Sequence, residues 1–148
     1  MLVPILLGSE SDKDHAQKIG GWLEQFGIPH EIKVMSAHKV PEKLFAYIQE
    51  MNKQKNIVFV TIAGRSNGLS GVTAGSSVHP VIACPPFKDK DDYSINIHST
   101  LQMPSDTPVL AVLDTQNCAL AIARIFAMQD PAIAAKVAQR IEDIKATF

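Results

Sequence analysis

The sequence predicts an α/β domain built on a parallel sheet of five strands. Five short apolar runs recur along the chain, and most of them are continuous, which is typical of strands covered on both faces. Segments with helical spacing lie between the runs, and this alternation favours parallel strands joined by right-handed crossovers. The predicted strands are Val3–Leu7, Glu31–Met35, Ile57–Ile62, Val81–Cys84 and Val109–Leu113.

Helices are predicted between the strands and after the last one. The first ends at Gly27, and the second begins near Pro41, where a first helical turn tolerates proline. Ala119–Met128 is apolar nearly all round, so we expect this helix to be buried on both sides. The apolar stripes of the first, second and last helices are Ala16, Ile19, Leu23 and Phe26; Leu44, Tyr47, Ile48 and Met51; and Ile133, Val137, Ile141 and Ile144.

Two further segments lie between these elements. Leu69–Ser77 contains small residues throughout and is predicted to pack closely as a helix. Asp89–Ser99 has no clear period and is expected to be irregular, although a short helix fits within Ser94–Met103.

Size, charge and cysteine content narrow the class of protein. A chain of 148 residues is long enough for one core, so we expect a single domain over residues 1–148. The net charge of −1 gives no general attraction to nucleic acid or to a membrane surface, and an anion must be held by local groups. Cys84 and Cys118 lack metal-site spacing, and the apolar start is too short for a signal segment or a membrane span. A cytoplasmic protein without a structural metal is expected.

The end of the first strand predicts an anion site. Parallel sheets bind ligands at the carboxyl ends of their strands, and here Gly8, Ser9, Ser11 and Asp12 follow strand one directly. Gly8 permits a sharp turn, the serines offer hydroxyl groups, and the start of the next helix offers free N–H groups. The alternative is that Ser11 or Asp12 caps the helix, which is the commoner role for such residues.

The end of the second strand predicts a proton-transfer group. His38 follows the strand within the motif "SAHKVP", and an imidazole can accept or donate a proton near neutral pH. Ser36 precedes it, and Lys39 can hold a phosphate as a compact positive charge. The alternative is a solvated loop histidine.

The third strand ends in an unusually small and polar stretch, "IAGRSNGLSG". Gly64, Gly68 and Gly71 allow a ligand or a neighbouring backbone to come close, while the alternative is tight packing of helix on sheet. Strand four ends in two prolines that offer little chemistry. Cys84 would need a base to act as a nucleophile, and none is indicated, so a buried apolar role is expected.

The other histidines are less well placed for chemistry. His15 and His30 are predicted at solvated helix and loop positions, and His98 lies in the irregular segment. His79 precedes strand four and is expected at the opposite, amino edge of the sheet.

Taken together, the motifs resemble the phosphoribosylaminoimidazole carboxylase family. The set is "GSESD", "SAHK", "AGRSNGL", "PVIACPP", "LQMPS" and "ALAIARIF", in order through the whole chain. The resemblance is to the class II, CO₂-using type. It implies a three-layer flavodoxin-like domain with a central parallel five-stranded sheet, assembled as a homo-oligomer, either a tetramer or an octamer. The implied reaction carboxylates aminoimidazole ribonucleotide at C4 with CO₂, without ATP, biotin, metal or any other cofactor.

The resemblance also assigns roles to the strand ends. Residues of the first strand end would hold phosphate and ribose, those of the second would lie against ring and phosphate, and those of the third would face CO₂. His38 would be the general acid/base, because it is the only histidine at a candidate strand end. The implied substrate-binding residues are Gly8, Ser9, Ser11, Asp12, Ser36, Lys39, Ala63, Gly64, Arg65 and Ser66.

Two other functions remain open. The related mutase, which moves a carboxylate from the N5-carbamate of the same nucleotide, usually has arginine where Lys39 stands, with a second histidine after strand three. No histidine occurs here between positions 39 and 78. Asp106 departs from class II, in which glycine is expected after "MPS". The more distant alternative is a flavodoxin-like module that binds a nucleotide without turnover.

Overall fold

The computed structural model describes residues 1–148 and contains one sheet of five parallel strands. The strand order is β2-β1-β3-β4-β5, so the chain changes direction across the sheet between β1 and β3. This is the flavodoxin-like order, and the predicted α/β fold is confirmed. The strands are β1 (Val3–Leu7), β2 (His30–Val34), β3 (Phe59–Ile62), β4 (Val81–Ala83) and β5 (Leu110–Ala111).

Seven helices surround the sheet, and a 3₁₀ turn at Glu10–Asp12 precedes the first of them. Gly27 ends the first helix in the left-handed conformation, with a φ of 73°, as the sequence predicts. None of the helices is both long and apolar enough to cross a membrane. They are α1 (Lys13–Phe26), α2 (Pro41–Asn52), α3 (Gly68–Ser76), α4 (Lys90–Asn96), α5 (His98–Leu101), α6 (Thr115–Ala127) and α7 (Pro131–Lys145).

The helices form two layers because successive side chains of a strand point to opposite faces of the sheet. Ile5 and Leu7 pack with α1, α6 and α7, and we call this side the large face. Leu6 lies between them in sequence and packs with α2 and α3 on the other side, which we call the small face. Both layers are apolar where they meet the sheet, which explains the continuous apolar run of β1.

The fifth strand differs from its prediction. It spans only Leu110–Ala111 instead of Val109–Leu113, and both of its residues are exposed. β5 is an edge strand that pairs only with β4, so one side has no neighbouring strand in this chain. The apolar sequence indicated a strand but could not show how much of it would pair.

The prediction that Ala119–Met128 is buried on both sides is wrong for the isolated chain. One face of α6 packs on the sheet and includes Ile122 and Phe126 among its buried residues. The remaining positions are half-buried or exposed, and Met128 is 84% exposed. An all-round apolar sequence does not show which of its faces pack within the chain.

The predicted irregular segment Asp89–Ser99 is largely helical. The Asp89 side chain accepts a hydrogen bond from Asp92 N at 2.8 Å and so starts α4 as a cap.

Farther along, Asp106 has a φ of 61°, the left-handed region that favours glycine and that aspartate tolerates better than most residues. Aspartate at this position, where the family pattern has glycine, therefore still adopts the backbone conformation of the turn.

Candidate active site

A cavity of about 910 Å³ opens at the carboxyl ends of β1, β2 and β3. Its position at the β1/β3 reversal is where open parallel sheets bind ligands. All eleven predicted site residues line this one cavity. They are Gly8, Ser9, Ser11 and Asp12 after β1; Ser36, His38 and Lys39 after β2; and Ala63, Gly64, Arg65 and Ser66 after β3.

The segment after β1 presents its polar groups without using them to cap α1. Ser9 Oγ accepts hydrogen bonds from the backbone N–H and the hydroxyl of Ser11, at 3.3 and 2.9 Å. Asp12 stands at the start of α1, but its side chain makes no capping bond, so the alternative that Ser11 or Asp12 caps the helix is wrong. Partial burial raises the pKa of Asp12, and the Ser11 hydrogen bond and the charge of His15 offset this in part.

His38 connects the second wall of the cavity to the third. The turn that carries it is closed by Lys39 N and Val40 N, which donate to Ser36 O at 3.3 and 3.0 Å. The exposed imidazole lies against Gly68, the first residue of α3. A Cβ at position 68 would be only 2.9 Å from His38 Nε2. Glycine at this position therefore makes room for the imidazole, which is a specific reason for one of the glycines in "IAGRSNGLSG".

The third wall is a tight turn held by the cap of α3. Ser66 has a φ of 47°, in the left-handed region that costs a non-glycine residue about 1–3 kcal/mol. Asn67 follows it, and its Oδ1 accepts from Ser70 N at 3.1 Å. Arg65 precedes it and is exposed, and it takes part in none of the ion pairs of the structure. The guanidinium is therefore free of a structural partner within ion-pair distance.

The charges that line the cavity are mixed, with cations in excess. Lys39, Arg65 and Lys88 contribute positive charge, and Asp12 and Asp92 contribute the carboxylates. The pKa of Asp92 is lowered, chiefly because the backbone N–H of Lys88 donates to it, with the charge of Arg65 adding to the effect. A chain with a net charge of −1 thus concentrates cations where an anionic ligand would bind.

Several cavity residues were not singled out from the sequence. Ala37 lies inside the motif that carries His38, and Leu69 continues the stretch after β3, next to Gly68, which was expected to allow a close approach and also lines the cavity. The others come from the segment after β4, which was expected to offer little chemistry. The same rule about strand ends, applied from the second of the two prolines onward, identifies them. These residues are Pro86, Phe87, Lys88 and Asp92.

A second group of reactive side chains lies where α1 meets the end of β4. Cys84 Sγ is 3.5 Å from His15 Nε2, so the expectation that no base is near this cysteine is wrong. A hydrogen bond with Cys118, and then the nearby His15, lower the pKa of the Cys84 thiol. Both thiols are free and fully buried, and neither lines the cavity. The buried role expected for Cys84 therefore stands, with a polar contact that the sequence did not reveal.

His38 is the only histidine that lines the cavity. His15 is half-buried against Cys84, and His30 begins β2 instead of lying in a loop. His79 Nε2 is 3.1 Å from Met51 O near the end of α2, at the amino edge, as predicted. No cluster of three or more His, Cys, Asp or Glu side chains is arranged to hold a metal ion.

Comparisons of the chain with known proteins agree on one family. A sequence model of the AIR carboxylase family matches residues 2–147. A phosphoribosylaminoimidazole carboxylase of Archaeoglobus fulgidus is 45% identical over 94% of this chain and 76% of that protein. The Treponema denticola protein of the same name is 42% identical over 95% of this chain and 89% of its own length.

A solved structure and a longer relative extend the comparison. The crystal structure of Treponema denticola PurE superimposes with a TM-score of 0.92 at 40% identity, covering 99% of this chain and 92% of that one. The human bifunctional phosphoribosylaminoimidazole carboxylase/phosphoribosylaminoimidazole succinocarboxamide synthetase is 37% identical over 91% of this chain. The match covers 32% of that longer protein.

Proposed function

This chain belongs to the AIR carboxylase family, an enzyme family of purine biosynthesis, and we propose that it carboxylates aminoimidazole ribonucleotide at C4 with CO₂. The observation that carries the proposal is the cavity itself. Three strand ends that carry hydroxyl groups, one imidazole and cationic side chains meet around a space large enough for a nucleotide. The proposed reaction needs neither ATP nor a metal ion.

The proposed chemistry uses the electron-rich ring of the substrate. The amino group pushes electron density to C4, which forms a C–C bond to CO₂ as one C–O π bond becomes the carboxylate. The intermediate carries both hydrogen and carboxylate at C4. His38 then accepts the C4 proton, the C–H electrons restore the aromatic ring, and in the reverse direction the imidazolium returns the proton. General acid/base groups of this kind typically contribute ~10²–10⁴ in rate.

The cavity walls suit the separate parts of this substrate. In the proposal, Ser9 and Ser11 donate to the phosphate and Asp12 accepts from the ribose hydroxyls. Lys39 adds a positive charge beside them. Arg65, exposed and without an ion-pair partner, is free to hold the carboxylate that forms at C4.

Two residues support the CO₂-using reaction over the mutase reaction. Lys39 occupies the position at which the mutase type usually has arginine. Gly68, at the start of α3, contributes no side chain to the cavity, and the imidazole beside it is that of His38. A single cavity histidine suffices for the one proton that the proposed carboxylation moves.

The carboxyl source decides between these reactions. Purified protein is given aminoimidazole ribonucleotide and ¹³C-bicarbonate without ATP and with a metal chelator, and the C4-carboxylated product is analysed by mass spectrometry. We expect ¹³C in the product. In parallel, the unlabelled N5-carbamate is supplied together with ¹³C-bicarbonate at short times, because a carbamate releases CO₂ spontaneously.

Each outcome has one interpretation. Labelled product from the free nucleotide supports the carboxylase. Unlabelled product from the carbamate alone, with no product from the free nucleotide, would make the protein a mutase. Nucleotide binding with no product from either source would identify a binding module without turnover.

We also propose that residues 1–148 act as one domain in a cytoplasmic homo-oligomer, a tetramer or an octamer. Leu101, Leu110 and Met128 are large apolar side chains that are more than half exposed, and the β5 edge is open. Both cysteines are free thiols, which suits a reducing compartment. Light scattering coupled to size exclusion measures the assembly, and a monomeric mass at micromolar concentration would contradict it.

A further inference from the structure

The segment Phe87–Leu101, which contains α4 and α5, is tied to the start of α3 by hydrogen bonds that the proposed chemistry does not use. The backbone N–H of Asn67 donates to Ser99 Oγ at 3.0 Å, and Asn67 Nδ2 donates to Thr100 Oγ1 at 2.9 Å. Asn67 is 4% exposed and Thr100 is 2% exposed, so water does not compete for these bonds. We call Asn67, Ser99 and Thr100 the latch.

One side chain fixes two elements at once. Asn67 Oδ1 caps α3 by accepting from Ser70 N, while Asn67 Nδ2 reaches α5. Removing a partner from a buried hydrogen bond leaves the other group unpaired, which is costly. The latch therefore holds the position of Asn67, and with it the left-handed conformation of the adjacent Ser66.

A chain of hydrogen bonds continues from the latch to the cavity wall. Ser99 Oγ donates to Asn96 O at 3.0 Å, and Asn96 Nδ2 donates to Asp92 Oδ1 at 2.6 Å. The backbone N–H of Lys88 then donates to Asp92 Oδ2 at 3.0 Å. Asp92 and Lys88 both line the cavity, as does Arg65, which lies two residues before Asn67 in the sequence.

We propose that the latch positions the segment after β4 against the turn after β3, so that Lys88 and Asp92 are held in fixed geometry with Arg65. The latch residues are positioning residues, because none of them lines the cavity. Their effect on turnover rests on the proposed carboxylation, since it requires that reaction to occur in this cavity. Hydrogen bonds set distance and direction, and small misplacements of site groups reduce turnover strongly.

The primary test is Thr100→Val, which removes the acceptor of Asn67 Nδ2 but keeps the cap of α3. The matched control is Thr73→Val, because Thr73 is also fully buried and its hydroxyl donates to Leu69 O inside α3. We expect kcat of Thr100→Val to fall roughly 10- to 100-fold, while that of Thr73→Val stays within about two-fold. Unchanged kcat in Thr100→Val would overturn the proposal.

Two further variants separate positioning from loss of stability. Ser99→Ala removes the acceptor of the Asn67 N–H, and its effect on kcat should be less than additive with Thr100→Val, since both open the same latch. Asn52→Ala removes hydrogen bonds to Ser76 O and Val78 N, away from the cavity. If Asn52→Ala, at a matched loss of melting temperature, loses as much kcat as Thr100→Val, the latch has no positioning role.

Hydrogen–deuterium exchange tests the latch without any assay of turnover. In Thr100→Val, amides of residues 64–68 and 87–101 should exchange faster together, and in Thr73→Val they should not. If wild type carboxylates with neither carboxyl source, the proposed function fails while this joint increase still supports the latch. An increase confined to α5 would overturn the latch whatever the activity.

Discussion

The two faces of the sheet bury different kinds of side chain. The large face packs twenty buried residues, all of them apolar side chains or cysteine. The small face packs nine, and beside it lie all five buried polar side chains of the structure. Each of the five lies in α3, caps it, or hydrogen-bonds to its residues or to its cap. They are Thr61, Asn67, Ser70, Thr73 and Thr100.

The difference separates stability from site geometry. Apolar packing contributes free energy in proportion to the area it buries and has little directional preference. Hydrogen bonds contribute less free energy each, but they fix distance and direction. Two of the three predicted cavity walls are the segments after β2 and β3, and these segments continue into α2 and α3 on the small face. We therefore expect substitutions on the large face to lower stability and those beside the small face to lower turnover.

The largest effect is expected for His38→Asn. Turnover should fall about 10²- to 10⁴-fold because the proton at C4 loses its acceptor. The melting temperature should hardly change, since His38 is exposed. Steady-state kinetics and thermal unfolding measure the two quantities, and His98→Asn is the control, an exposed histidine outside the cavity. Near-normal turnover in His38→Asn would remove this residue from its proposed role.

The opposite pattern is expected for Ile122→Ala on the large face. Ile122 is fully buried in α6, and its truncation should lower the free energy of unfolding by about 2–5 kcal/mol. Because α6 contributes no residue to the cavity, kcat per folded protein should stay close to wild type. Urea unfolding and active-site-normalised kinetics measure both. A tenfold loss of kcat at low temperature would break the proposed division between the faces.

Gly68→Ala tests the contact between the second and third walls. The new Cβ would overlap His38 Nε2, and the imidazole is free to move because it is exposed. We expect turnover to fall roughly 10- to 100-fold through misplacement of the imidazole. Stability should hold or rise by about 0.5–1 kcal/mol, because alanine favours the helix.

Gly75→Ala is the matched control for this substitution. Gly75 lies in the same helix, and a Cβ there would be 3.9 Å from its nearest neighbour, Thr107 Cγ2. Both variants gain helix propensity, but only Gly68→Ala should change turnover. If the two variants have equal turnover, the position of the imidazole against Gly68 has no importance for catalysis.

The smallest of these effects is expected for Arg65→Ala. The side chain is exposed and in no ion pair, so stability should change by less than about 0.5 kcal/mol. Carboxylation should fall about tenfold, with nucleotide binding retained, because a charge-assisted hydrogen bond to the new carboxylate is lost. Isothermal titration calorimetry and turnover measure the two properties.

Arg140→Ala provides the comparison on the large face. Arg140 lies over the Trp22 ring, 5.9 Å from its centroid, so its removal should affect only packing. Loss of assembly in Arg65→Ala, with binding and turnover lost together, would instead give Arg65 a structural role.

The strand ends could be read from the sequence because the rule that joins them is topological. Once three apolar runs are taken as neighbouring parallel strands, the residues after them must meet at one edge. Gly8, His38 and Arg65 therefore line one cavity although they are far apart in sequence. The fold class followed from the same alternation, and the motif set gave the family.

The contacts between loops could not be read in this way. Asn67 and Thr100 are separated by 33 positions, and neither sequence pattern nor propensity indicates that they form a hydrogen bond. The helix within Asp89–Ser99 starts at a cap formed by Asp89, and the sequence after it has no apolar period that would indicate a helix. The contact between His15 and Cys84 joins two elements whose relative rotation is set by packing.

The sequence by itself determined the α/β sheet, the family and the chemical groups at the strand ends, because apolar period and strand order are local or topological properties. Only the tertiary structure decided how those groups face one another. It placed the imidazole of His38 against Gly68 and joined the backbone of Lys88 to Asp92 at the cavity wall. Such geometry depends on close contacts between distant residues, and distances of a few ångströms are decided by packing, not by pattern.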